Sequence, residues 1–106
     1  MSQQDQNKKK YPLDRVNALL SMQRALLCEV APTLRAASID WDDATIHLYF
    51  YYDGEVSDED RDSAECVATE VIASYPEYEL DVHINRCDFP QQIPDIGERA
   101  FRRREL

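Results

Sequence analysis

Apolar residues recur at three- and four-residue steps near the start of the chain, which predicts an amphipathic helix from Leu13 to Val30. Its apolar stripe is expected to comprise Leu13, Val16, Leu19, Leu20, Leu26, Leu27 and Val30. Pro12 suits the first helical turn, where the N–H that it lacks would have no partner. Pro32 ends the helix, because a proline disfavours helical geometry in the residue before it.

Two strands follow, and the second has the clearest alternation in the chain. The first is predicted from Thr33 to Trp41, with a change of phase that indicates a β-bulge or a later start. The second runs from Thr45 to Tyr52, and its apolar face comprises Ile46, Leu48, Phe50 and Tyr52. The alternate positions, expected on the opposite face, are His47, Tyr49 and Tyr51. Asp42–Asp43 is a turn signal, so the two strands are predicted to form a β-hairpin.

A second amphipathic helix is predicted after the hairpin and ends near Tyr75–Pro76. Ser57 is its expected N-cap, since Asp60 three residues later gives nearly a capping box. The apolar stripe of this helix comprises Ala64, Val67, Ala68, Val71 and Ile72. A third strand is predicted over Tyr78–Asn85, and Glu98–Arg104 is expected to be a short last strand. The outward positions of the third strand are Glu79, Asp81, His83 and Asn85.

The element order, α-β-β-α-β-(β), predicts an α+β fold. Two amphipathic helices on one face of a three- to four-stranded, mainly antiparallel sheet would bury every apolar stripe. The other sheet face is then expected to be open to water, as antiparallel sheets permit. Residues 11–106 are predicted to form this single domain, because 106 residues are too few for two self-sufficient cores. Residues 1–10 are polar and without periodicity, so they are predicted to be a disordered lead-in.

Charge is unevenly distributed along the chain, whose net charge is −9. Residues 11–97 contain 18 acidic and 5 basic residues, a net charge of −13, whereas residues 1–10 and 98–106 each carry +2. Nucleic acids and membrane surfaces are negative and would repel such a domain, so we predict neither as a partner. Because no apolar stretch has the length of a signal-peptide core or a membrane span, the protein is expected to be cytoplasmic.

Cysteine and glycine usage exclude several classes of chemistry. Cys28, Cys66 and Cys87 lack the spacing of a structural zinc site, and their odd number does not suit a disulfide framework. We expect three reduced thiols that pack as small hydrophobic side chains. Gly54 and Gly97 are the only glycines in the sequence, which excludes a glycine-rich phosphate-binding loop.

The outward side chains of the sheet are the first place to look for chemistry. His47, His83 and a carboxylate are a candidate ligand set for a metal. Either histidine, with Glu79 or Asp81, is a candidate for acid–base catalysis. The histidines carry no diagnostic spacing, however, and a flat sheet face offers no cleft. We therefore interpret them as solvated strand residues and predict no metal, no cofactor and no catalytic residue.

Protein binding is a third use of this face, and it is the one that we favour. Tyrosines are common at the centre of protein interfaces, and acidic residues around them would attract a basic partner. Residues 53–65 contain seven acids and Arg61 as their one basic residue, more acids than helix capping needs. The predicted partner-binding residues are Tyr49, Tyr51, Asp53, Glu55, Asp58, Glu59 and Asp62. In the alternative interpretation, a terminal segment covers the two tyrosines or they simply support the sheet.

The block from Ile39 to Arg86, with its acid-rich FYYDGEVSDEDRD stretch, resembles small acidic bacterial immunity proteins. Such proteins protect a cell from its own contact-dependent growth inhibition toxin or from another polymorphic toxin. The resemblance covers residues 11–104 and rests on size, element order and the acidic stretch. It implies a cytoplasmic inhibitor that binds a toxin domain, commonly a nuclease, and blocks its active site. It assigns no individual binding residue.

The composition is consistent with this role, because a nuclease needs a positively charged cleft to hold phosphates. Carboxylates placed where phosphates would lie attract such a cleft and speed association. Buried aromatic side chains would slow dissociation. The predicted function is therefore that of a non-enzymatic immunity protein that covers the active site of a basic nuclease toxin.

Two other functions stay open. An adaptor or homodimer would use the open sheet face for self-association, so the sequence permits a monomer or a homodimer. A small enzyme would use His47 or His83 and would need a pocket beside it. The role of three arginines near the C-terminus is open too, and we favour edge-strand charges that discourage pairing between sheets. They are Arg102, Arg103 and Arg104.

Overall fold

The computed structural model of the protein describes residues 13–105, so the predicted lead-in at residues 1–10 lies outside the described part. The elements are α1 (Arg15–Leu26), β1 (Leu34–Trp41), β2 (Thr45–Tyr52), α2 (Asp58–Ala73), β3 (Glu79–Arg86) and β4 (Glu98–Arg102). Their order confirms the predicted α+β fold and its fourth strand. Neither helix in residues 13–105 has the length and apolar character needed to cross a membrane.

The four strands form one mixed sheet in the order β3-β2-β1-β4. β1 pairs antiparallel with β2 and with β4, which confirms the predicted hairpin and the mainly antiparallel sheet. β2 and β3 are parallel neighbours, and α2 provides the crossover that parallel strands need. The register of β1 against β2 shifts between Leu34 and Ala36. This irregularity is the β-bulge indicated by the change of phase.

One hydrophobic core lies between the two helices and one face of the sheet. The sheet residues in it include Leu34, Ala37, Ile39, Ile46, Leu48, Phe50 and Tyr52. The helix residues in it are Ala18, Met22, Ala25, Leu26, Ala64, Val67, Ala68 and Val71. Burial of each large aliphatic side chain contributes about 1.5–3 kcal/mol, so this core is the main source of stability. The predicted packing of both helices on one sheet face is confirmed.

The apolar stripe predicted for α1 is wrong in part. Val16, Leu20 and Leu27 are 62%, 54% and 71% exposed. The buried side of the helix instead comprises Ala18, Ser21, Met22, Ala25 and Leu26. Apolar residues occupy several sides of this helix, so their positions alone do not determine which side is buried.

Both ends of α1 also differ from the prediction. Asp14 is the N-cap, since its carboxylate accepts a hydrogen bond from the Asn17 N–H at 2.9 Å. The helix ends at Leu26, well before Val30. Cys28 has a φ of 68°, a left-handed conformation that redirects the chain ahead of Pro32.

The prediction of three buried thiols is wrong for two of the cysteines. Cys87 is buried, whereas Cys28 and Cys66 are exposed. Cys28 lies in the turn after α1, and Cys66 lies on the outward side of α2. Local position therefore decides their burial more than the general tendency of free cysteines to be buried.

The second face of the sheet is half covered, not open as predicted. Residues 87–97, which connect β3 to β4, fold across it and pack Cys87 and Ile93 against Ala36 and Tyr51. Arg99 connects this segment to β1, because its guanidinium donates to the Ser38 hydroxyl at 3.0 Å and to the Pro94 carbonyl at 2.8 Å. The same group lies 5.9 Å from the centre of the Tyr51 ring.

A buried ion pair attaches the C-terminal residues to β1. The Arg35 guanidinium donates to both carboxylate oxygens of Glu105, at 2.7 and 3.0 Å. These bonds hold the pKa of Glu105 at about 2. Arg103 donates to Glu105 and also forms a 3.1 Å ion pair with Asp53. Arg103 thus links the C-terminal residues to the end of β2, and β4, which it follows, is an edge strand of the sheet.

Candidate functional site

An acidic surface follows the outward side of α2 and the loop before it. Asp58, Asp62 and Glu65 recur at four- and three-residue steps, which places them on one side of a helix. We use the name α2 acidic surface for six exposed residues: Glu55, Asp58, Glu59, Asp62, Glu65 and Glu70. Among the described residues, no salt bridge joins any of these carboxylates. The surface therefore presents several carboxylates that form no direct ion pair.

The N-terminus of α2 is capped by Ser57 and Asp60, neither of which belongs to the α2 acidic surface. The Ser57 hydroxyl accepts a hydrogen bond from the Asp60 N–H at 3.0 Å, and the Asp60 carboxylate accepts one from the Ser57 N–H. This confirms Ser57 as the N-cap and completes a capping box. Asp60 also accepts from the Thr33 hydroxyl and is buried, so its role is structural.

A groove of about 730 Å³ between α1 and α2 adjoins the α2 acidic surface. Four carboxylates line it, with Arg24 as the one basic residue; the acids are Glu29, Asp62, Glu65 and Glu70. Leu27 also lines the groove and is 71% exposed. The groove thus combines negative charge with an apolar side chain, and we call it the inter-helix groove.

The structure places the predicted partner-binding acids in two different environments. Glu55, Asp58, Glu59 and Asp62 are exposed and belong to the α2 acidic surface. Asp53 is half-buried, and its carboxylate accepts a hydrogen bond from the Phe89 N–H at 3.1 Å. Its ion pair with Arg103 uses the other carboxylate oxygen. Asp53 therefore links the end of β2 to the 87–97 segment and to Arg103.

The two predicted tyrosines lie on the sheet face away from the helices. Tyr51 is 2% exposed beneath the 87–97 segment, and burial raises the pKa of its hydroxyl. The expectation that Tyr51 is open to solvent is wrong. Tyr49 is half-buried on this face, so the sheet separates it from the α2 acidic surface. Tyrosines and acids do not form one continuous patch.

A cluster of polar rings lies on the same face as Tyr49. The parallel register pairs His47 with Asp81 and Tyr49 with His83. The Tyr49 and His83 rings stack with centroids 4.5 Å apart and planes 10° from parallel. His47 Nδ1 lies 3.4 Å from His83 Nε2 and 3.7 Å from an Asp81 carboxylate oxygen. We call His47, Asp81 and His83 the histidine cluster.

A cleft of about 400 Å³ adjoins the histidine cluster, and its lining includes Tyr49, His83, Asn85 and Gln91. It exists because the 87–97 segment rises beside β3, so the expectation of a flat face is wrong. No described carboxylate lines the cleft. An acid–base mechanism using His83 would therefore lack an orienting acid inside it.

Sequence reasoning missed the Arg35–Glu105 ion pair and the inter-helix groove. A signal for the first exists, because Arg35 interrupts a run of small and apolar residues in β1. The groove had no local signal, since it depends on how α1 and α2 pack against each other.

A protein-family model described as MafI2 immunity protein matches residues 15–105. The match covers every helix and strand of the structure. It also includes the α2 acidic surface, the inter-helix groove and the histidine cluster. No curated protein matches the chain.

Proposed function

The chain belongs to the MafI2 immunity protein family, and we propose that the cognate toxin it neutralises is a basic nuclease. The immunity role and the toxin partner follow from the family, whereas the class of toxin and the docking surface are our proposal. Inhibition by occupancy needs no catalytic residue, because a protein seated in an active site excludes the substrate. A nuclease meets nucleic acid inside the cell, so we propose that the inhibitor acts in the cytoplasm.

The observation that carries the proposal is the cluster of carboxylates without direct ion pairs on the α2 acidic surface. Its six exposed carboxylates have no ion-pair partner among the described residues. A nuclease cleft holds lysines and arginines for phosphate binding, so its charge complements this surface. Complementary charge of this kind raises association rate constants to about 10⁸–10⁹ M⁻¹s⁻¹ at low salt. A fast inhibitor is useful because an unbound nuclease turns over many substrates.

An apolar contact beside the charge would slow dissociation. Leu27 borders the inter-helix groove, and Val16 and Leu20 are also exposed on α1. Apolar area that a partner removes from water stabilises a complex. We propose that Leu27 packs against the toxin while the surrounding carboxylates bind its basic residues.

The proposed contact set differs from the one predicted from the sequence. It keeps Glu55, Asp58, Glu59 and Asp62 and adds the inter-helix groove. It omits Asp53 and Tyr51, which are committed to internal contacts. Tyr49 lies on the other side of the sheet, where its ring stacks on His83.

Affinity capture followed by growth rescue tests the proposed function. The tagged full chain is expected to retain a basic protein from a lysate of its own organism and to release it as salt rises. Expression of that protein alone should stop cell growth and degrade nucleic acid, and co-expression of the full chain should restore growth. A captured toxin without nuclease activity would overturn the nuclease proposal. Retention of the chain by itself alone would favour the homodimer.

A further inference from the structure

Three potential metal ligands converge on the sheet face away from the helices. His47 comes from β2, whereas Asp81 and His83 come from β3. One ligand atom from each lies within 4.8 Å of the others. The sequence contains two histidines, and the fold brings both together here. We propose that the histidine cluster binds a divalent transition metal of the Zn²⁺ class.

The distances in the cluster suit tetrahedral coordination. Zinc–nitrogen bonds of about 2.0–2.1 Å at tetrahedral angles place two nitrogen ligands about 3.3 Å apart. The His47 Nδ1–His83 Nε2 distance is 3.4 Å. The Asp81 oxygen lies 3.7 Å from His47 Nδ1, and its side chain is exposed enough to rotate inward. The spacing of the two imidazole nitrogens fits two tetrahedral positions, and inward rotation of Asp81 would bring its carboxylate oxygen to a third.

The surrounding structure holds the two histidine ligands in place. Both strands belong to one sheet, and ligands on paired strands keep a fixed spacing. Tyr49 stacks on the His83 ring, which restricts its rotation. The His47 and His83 rings are also stacked, with centroids 5.6 Å apart. The two histidine rings therefore lose little side-chain entropy when a metal binds, and Asp81 is the ligand that has to rotate inward.

The donor set selects the class of metal. Imidazole nitrogen suits Zn²⁺, Ni²⁺ and Cu²⁺, whereas Mg²⁺ and Ca²⁺ prefer oxygen ligands. Three protein ligands leave a fourth position for water. The cluster lies across the sheet from the α2 acidic surface, so metal binding does not depend on the proposed toxin contact.

Titration of the full chain with Zn²⁺, after removal of metal with a chelator, tests the site. We expect one equivalent to bind by calorimetry, and Co²⁺ to give a tetrahedral visible spectrum without a sulfur-to-cobalt band. His47→Ala and His83→Ala should each weaken Zn²⁺ binding by at least about tenfold. Glu79→Gln removes a carboxylate from the same side of β3 outside the cluster and should leave affinity unchanged. The double variant Cys28→Ser/Cys66→Ser should also bind as the parent does.

Unchanged affinity in both histidine variants, or loss of binding in the cysteine variant, would overturn the proposal. A second measurement uses the unaltered protein and so does not depend on the folding of a variant. The ring resonances of both histidines should shift together and saturate at one equivalent of Zn²⁺ by NMR. A response from neither ring, or from one ring alone, would contradict a shared site.

Discussion

Arg35 illustrates how one residue determines what covers a sheet face. Arg35 is 2% exposed, and its guanidinium donates to the carbonyls of Cys87 and Gln91 at 2.7 and 2.9 Å, as well as to Glu105. A buried charge is tolerated only where it is paired and hydrogen-bonded. The sequence shows an arginine in a strand but not its partner, because Glu105 lies 70 residues later and shares no pattern with it.

The Arg35–Glu105 pair predicts a specific loss of stability in acid. Hydrogen bonding to Arg35 lowers the pKa of Glu105 from 4.5 to about 2. Because the folded-state pKa is the lower one, the contribution is complete above about pH 4.5 and is lost as pH falls towards 2. Glu105→Gln should therefore be less stable at pH 7 and should lose less stability than the parent on acidification.

Urea unfolding at a series of pH values measures this difference. Glu77→Gln is the matched control, since Glu77 is exposed and has no salt bridge among the described residues. The control should follow the parent at every pH. Parallel pH profiles for Glu105→Gln and the parent would show that the ion pair does not stabilise the fold.

Among the elements, the local sequence pattern predicted the strands and α2 correctly. For α1, it predicted the wrong buried side and too late an end. The alternation of β2 assigned Ile46 and Tyr49 to opposite faces correctly, because a strand has only two sides. In α1, apolar residues such as Val16 and Leu20 fall on a side that stays exposed. The parallel pairing of β2 with β3 also had no local signal, since it depends on the crossover through α2.

Gly97 fixes the start of β4 against β1, and its replacement tests that packing. Its φ is 68°, and a Cβ there would lie 2.5 Å from the Ile39 carbonyl oxygen. Gly54 has a φ of 88° but open space around it. Alanine at either position costs about 1–2 kcal/mol in backbone strain, and Gly97→Ala adds a steric clash. We expect Gly97→Ala to lower the free energy of unfolding more than Gly54→Ala does. Equal losses by chemical denaturation would contradict the close approach of Gly97 to β1.

At the scale of the whole molecule, the sheet separates two surfaces of different chemistry. The α2 acidic surface and the inter-helix groove lie on the helix side, and the histidine cluster lies on the other. The sequence pattern predicted the acidic character of the α2 surface. The predicted binding surface, however, placed Tyr51 together with the acids. Burial of Tyr51 could not be predicted, because it depends on the path of residues 87–97 across the sheet.

The central claim is that the α2 acidic surface binds a basic toxin domain. A fourfold variant removes four of its charges: Glu55→Gln, Asp58→Asn, Glu59→Gln and Asp62→Asn. Ser57 and Asp60 are kept, so the capping box stays intact. The matched control removes four exposed charges elsewhere: Asp43→Asn, Glu77→Gln, Glu79→Gln and Asp95→Asn. The two variants have the same net charge, so they differ only in where charge is lost.

The most direct measurement is the association rate constant for the captured toxin domain across a range of salt concentrations. Circular dichroism first confirms that both variants are folded, since Asp58 and Glu59 also favour the α2 dipole. The parent and the control should associate fast at low salt and slow steeply as salt rises. The fourfold variant should associate slowly at low salt and show little salt dependence. A fourfold variant that matches the control at every salt concentration would contradict the account.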